Sequence, residues 1–122
     1  MDEYIPQSNW VNLDGTSLQG CVEASFAQLR QIFGDPLPET DGYKVSTEWV
    51  LLCPVDGMTV TLYDYKETNL YSKDYPTVEE FRANPSYEWH VGAKDKFVAE
   101  RFIAWLKWKL ATDNADIPAI IV

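Results

Sequence analysis

The chain is short of the side chains on which most small-protein chemistry depends. Its 122 residues hold one histidine, two cysteines and six scattered glycines. His90, Cys21 and Cys53 show no Cys-x-x-Cys or His-x-x-x-His spacing, so the usual nitrogen- and sulfur-ligated metal centre is not expected. Neither Gly-x-x-x-x-Gly-Lys nor Gly-x-Gly-x-x-Gly occurs, which leaves no loop of the kind that cradles phosphates. A Gly-x-Ser-x-Gly elbow is missing, and neither cysteine has cationic sequence neighbours to lower its pKa. Nucleophilic catalysis would have to use His90 as base, paired with Cys21, Cys53 or a serine. A histidine that follows a tryptophan in a short strand is more often a structural hydrogen-bonding residue. The expectation is a protein without catalytic residues and without a cofactor.

Positive charge is scarce as well. Lys and Arg total 10 against 19 Asp and Glu, giving a net charge of −9. That balance disfavours nucleic acid and anionic membranes as direct partners and suits a basic protein. The acidic residues are spread along the chain rather than set in the dense rows that would imitate a phosphate backbone. No run approaches the roughly 18 apolar residues of a membrane span. The N-terminus, MDEYIPQSNW, has neither the basic region nor the apolar core of a secretory signal. These absences point to a cytoplasmic protein whose two thiols stay reduced.

What is present is apolar and aromatic sequence: 46% hydrophobic residues, 14% aromatic, five of them tryptophan. That is enough for one domain with its own core over residues 1–122. The strongest signal is a β-hairpin between Lys44 and Lys66. Val45, Thr47, Trp49, Leu51 and Cys53 alternate with Ser46, Glu48, Val50 and Leu52, and Met58, Val60 and Leu62 alternate with Thr59, Thr61 and Tyr63. Each run therefore presents one apolar face. Two connections satisfy the pattern, a two-residue turn at Asp56-Gly57 or a four-residue loop from Pro54 to Gly57. Both put Trp49, Leu51, Val60 and Leu62 on one face, and both bring Lys44 and Lys66 together at the open end.

Around this hairpin, residues 1–8 read as a loose leader, and residues 9–23 as a first hairpin turning at Asp14-Gly15. Ser25 and Gln28 form a capping box that opens a helix ending at Gly34. Thr77 and Glu80 repeat the pattern for a short helix that stops before Pro85. Residues 87–92 read as a last strand, residues 95–111 as a long C-terminal helix, and 112–122 as an apolar tail that packs on the domain or on a second copy. The fold class is α+β, a small antiparallel sheet with a central hairpin, on which an N-terminal helix and the long C-terminal helix pack.

Three segments, SLQGCVEASFAQLRQIFGDP, DGYKVSTEWVLL with VTLYDYK, and EWHVGAK, carry the motifs Lys-x-x-x-Glu-Trp, Tyr-x-Tyr-Lys and Trp-His-Val-Gly in order. Over residues 17 to 94 the chain resembles a family of small, largely uncharacterised proteins encoded by bacteriophages and other viruses. It departs from that pattern at Ala93, where a second glycine is usual, and around residues 72–85. The resemblance implies a phage accessory protein acting on a host, and it carries no catalytic residues.

The resulting expectation is a non-enzymatic protein that binds and inhibits a host protein, such as a nuclease or a CRISPR-type defence complex. Glu48, Tyr63, Tyr65 and Trp108 are its candidate partner-binding residues, and Trp49, Trp89 and Gly92 the structural motif positions. Surplus tyrosines, including Tyr71 and Tyr75, favour an interface. The rival expectation is a protein that sequesters a nucleotide-like anion with Lys44, Lys66, His90 and Lys94. Lysines at strand ends more often serve simply to discourage edge pairing. A third is an oligomer-forming structural protein held through its tail.

Overall fold

The computed structural model describes residues 4–8 and 16–121, with side chains as far as residue 112. Along the chain run β1 (Ile5–Gln7), β2 (Ser17–Ala24), α1 (Phe26–Phe33), β3 (Glu48–Leu52) and β4 (Thr59–Tyr63). They are followed by α2 (Val78–Arg82), β5 (Tyr87–Ala93) and α3 (Lys96–Ile121). The strands form one antiparallel sheet in the order β1-β3-β4-β5-β2. Helices cover one face of it, which makes the protein a small α+β fold.

The four-residue connection is the one adopted. Leu52 faces Thr59, the Cys53 amide donates to the Met58 carbonyl at 2.9 Å, and the Gly57 amide returns to the Cys53 carbonyl at 2.8 Å. Gly57 takes a φ of 73°, in the left-handed region where glycine has no Cβ penalty. The regular ladder starts at Glu48 rather than at Val45. Asp64 causes that difference: its carboxylate takes the Ser46 and Thr47 amides that a longer strand would have placed in the ladder.

The expected faces are observed. Trp49, Leu51, Val60, Leu62, Trp89 and Val91 are buried together with Leu29 and Phe33 of α1 and Val98, Phe102 and Leu106 of α3. Full burial of a side chain of this size contributes about 1.5–3 kcal/mol, so this layer dominates stability. Two tryptophans meet edge to face at 5.5 Å, Trp49 against Trp89. Each also satisfies its indole N–H on a backbone carbonyl, of Gly34 and Ala24 respectively, at 2.9 Å.

Both capping boxes are formed, at Ser25 with Gln28 and at Thr77 with Glu80. Two features differ from the expectation. Residues 5–7 are an edge strand rather than part of a loose leader, pairing Ile5 with Leu52 and Gln7 with Val50. They occupy the outer edge of β3, and an edge is where Pro6 is tolerated. The expected strand over 9–13 and the turn at Asp14-Gly15 lie outside the described residues. α3 also continues beyond Ala111 through much of the span expected to be a separate tail. No glycine follows Leu110 to end the helix, and Ala111 favours its continuation. Cys21 and Cys53 are both free; β4 and β5 separate their strands, so they are far beyond disulfide reach.

Candidate functional site

The sheet face opposite the helices carries the outward residues of each strand. Tyr63 of β4 stands opposite His90 of β5, which in turn stands opposite Cys21 of β2. The Tyr63 and His90 rings stack at 5.4 Å and 27°, and Tyr65 lies 5.9 Å from the same imidazole. With Leu18 these side chains line a shallow, mostly apolar hollow of about 330 Å³. The Tyr87 hydroxyl sits 3.5 Å from His90 Nδ1 and donates to Glu67 Oε2 at 3.2 Å. Burial, followed by the Glu67 carboxylate, pushes the Tyr87 phenol far above its ordinary pKa. Tyr63 is also raised, by burial first and then by Glu48.

Lys66 extends this cluster around the end of the sheet. Its backbone is left-handed, φ 58°, a conformation that costs an L-residue with a Cβ on the order of 1–2 kcal/mol. The strain is met by an amide hydrogen bond to the Lys44 carbonyl at 2.6 Å. Its ammonium also lies over two rings, Tyr65 at 5.1 Å and Tyr71 at 5.0 Å. Those two phenol groups favour the charged ammonium and raise its pKa. Tyr71 then touches Tyr43 at 5.2 Å and Tyr75 at 6.1 Å. A continuous belt of rings thus runs from His90 through Tyr65, Lys66 and Tyr71 to Tyr43 and Tyr75. Tyr43, Tyr65 and Tyr75 are exposed.

The structure brings some of the sequence candidates together and separates others. Lys44 and Lys66 meet at the hairpin mouth, and His90 joins Lys66 through Tyr65. Lys94 does not join them. Gly92 faces Thr61 while His90 faces Tyr63, so the strand runs away from the mouth and Lys94 stands roughly 13 Å beyond His90. The expected grouping of Lys44, Lys66, His90 and Lys94 therefore does not assemble, because antiparallel pairing sends Lys94 toward the opposite end of the sheet. Glu48 accepts from the Thr61 hydroxyl at 2.7 Å beside Tyr63. Trp49 and Trp89 belong to the core, and Gly92 lies against Thr61. Trp108 is exposed, but on α3, across the sheet from the tyrosines. Cys21 and His90 are directly opposed, yet burial and then Glu88 push the Cys21 thiol up, so this pair does not hold a ready thiolate.

Behind the mouth, on the helix side, lies an arrangement that sequence reading missed. Asp64 is fully buried and accepts from the Ser46 amide at 2.8 Å, the Thr47 amide at 2.9 Å and the Ser46 hydroxyl. Over this turn sits Arg82, whose Nε donates to Thr47 Oγ1 at 3.0 Å and Nη2 to the Ser46 carbonyl at 3.4 Å. Its guanidinium lies 4.7 Å from the centre of the Phe26 ring. Burial is the main reason that its pKa is lowered; Asp64 opposes the shift, and Arg30 adds to it. Arg82 and Arg30 face a cleft of about 470 Å³ walled by Phe26 and the Asp35–Pro38 loop. Contacts spanning 35 residues, such as Arg82 with Thr47, leave no local sequence signal.

Among the described residues, no group of three or more His, Cys, Asp or Glu side chains converges, and no helix is long and apolar enough to cross a membrane. No family model matches the chain, and neither does any curated protein sequence.

Proposed function

We propose that this protein is a phage-type accessory protein that binds a host protein and blocks it, with the tyrosine belt at the hairpin mouth as its docking surface. The observation that carries this reading is the belt itself. Tyr43, Tyr71 and Tyr75 meet ring to ring, and the ammonium of a strained Lys66 bridges Tyr71 to Tyr65. Tyrosine supplies large contact area with few rotatable bonds, which is why it anchors interfaces. The net charge of −9 selects for a basic partner surface and speeds its approach. The viral resemblance supplies the context, a host defence complex or nucleic-acid-handling enzyme as target.

The test is capture from bacterial lysate with tagged protein, read by native mass spectrometry. Wild type should retain one polypeptide in fixed stoichiometry. Tyr65→Ser combined with Tyr71→Ser should weaken that binding at least about tenfold, as loss of two interface anchors does, while Trp108→Ser leaves it intact. Retention of the polypeptide by the double tyrosine variant would overturn the proposal.

A further inference from the structure

We infer that the cleft between α1, the Asp35–Pro38 loop and the end of α2 is a binding site for an oxyanion, with Arg82 as its fixed donor and Arg30 as its exchangeable one. This site shares no lining residue with the hollow at Tyr63, Tyr65 and His90 and is independent of the tyrosine belt.

Arg82 is preorganised. The Arg82 guanidinium is held on one edge by Thr47 and Ser46, and one of its faces lies over Phe26. Thr47 and Ser46 are in turn locked by buried Asp64. A guanidinium fixed in this way loses little freedom when its remaining N–H groups engage an anion. The protein carries only three arginines, yet two of them line this cleft, and one is partly desolvated. Two guanidinium groups beside one concave surface offer it the charged donors that an oxyanion accepts from.

Arg30 is held more loosely than Arg82. Its partner Asp35 accepts at 2.8 Å, with both side chains mostly exposed, at 61% and 76%. Such a pair is worth little, so an incoming oxyanion replaces the Asp35 carboxylate at low cost while Arg82 holds it from the other side. Arg30 and Arg82 are balanced by Asp35 and by buried Asp64, so the cleft suits a small anion rather than a highly charged polymer. Its volume of about 470 Å³ lies within the range of small-molecule sites. Phe26 and Pro36 offer apolar surface to the body that carries the anion. The shared chemistry is a phosphate monoester or a carboxylate on a compact organic group.

Nitrogen-15 NMR of the Arg Nε–H groups tests this directly, because Arg101, paired with Asp56 at the hairpin loop, is an internal control. Titration with inorganic phosphate, and separately with acetate, should shift the Arg30 and Arg82 signals saturably and leave Arg101 in place. Tighter binding of phosphate assigns the phosphorylated class, and tighter binding of acetate the carboxylate class. Arg30→Gln should weaken binding about tenfold, the effect of losing one charge-assisted pair. Asp35→Asn should strengthen it about threefold by freeing Arg30. Both positions are exposed, so neither change threatens folding. Arg30 and Arg82 signals that move no more than Arg101 with either anion would overturn the inference, as would an Asp35→Asn variant that binds no more tightly than wild type.

Discussion

Asp64 ties the two halves of the hairpin mouth together, and its removal is the sharpest test of the local argument. A buried carboxylate that accepts from two amides and a hydroxyl cannot be replaced by water. Asp64→Ala should cost about 3 kcal/mol, measured by urea unfolding; a loss below about 1 kcal/mol would show that the network matters little. Gly92 makes a second residue-level case. A Cβ there would stand 2.6 Å from the Thr61 methyl and 3.5 Å from the Tyr63 ring. Gly92→Ala should therefore destabilise by about 1–3 kcal/mol and disturb the stacking of Tyr63 on His90. The tyrosines also predict a pH response. Tyr87, Tyr63 and Tyr4 all have phenol pKa values raised, each by burial first. The folded state keeps protons that the unfolded chain releases. This contribution to stability is complete below pH about 10 and is lost as pH rises toward the folded values. Each such group can remove up to about 1.4 kcal/mol per pH unit in that window. The urea midpoint should fall from about pH 10 upward, and Tyr87→Phe should make the fall shallower. An equal slope in that variant would rule out Tyr87 as a contributor.

At the scale of elements, the helices with local stop and start signals are the ones the sequence spelled out. Ser25 with Gln28 and Thr77 with Glu80 each satisfy two amides of a first turn. Ser25→Ala and Thr77→Ala should each cost about 1 kcal/mol, seen as a drop in melting temperature, with no change at the tyrosine belt. The hairpin was equally legible because alternation fixes faces whatever the register. Three other elements were not. Residues 5–7 have too few positions for a period to show, and their strand exists because β3 has an edge to fill. The end of α3 carries no glycine to mark it. The β-register that sends Lys94 away from His90 depends on which strand pairs with β4, a tertiary choice with no local signature. The same holds for the candidate sites. Lys44 and Lys66 were readable as neighbours because one hairpin joins them, whereas Arg30, Arg82 and Asp64 come from three separate elements.

For the whole molecule, the layout places two different surfaces at one sheet end. The tyrosine belt starts at the outward Tyr63–His90 pair and runs around the sheet end, while the arginine cleft lies between α1 and α2, next to the Ser46–Thr47 turn with Asp64. A third exposed aromatic stripe, Phe97 and Trp108 on α3, offers the natural competitor as a docking surface. Hydrogen exchange of the chain alone and saturated with the polypeptide it captures decides between them. Docking through the tyrosine belt slows exchange at residues 63–75 and around His90 and leaves 96–112 unchanged. Protection confined to 96–112, with 63–75 exchanging as in the free protein, would contradict it.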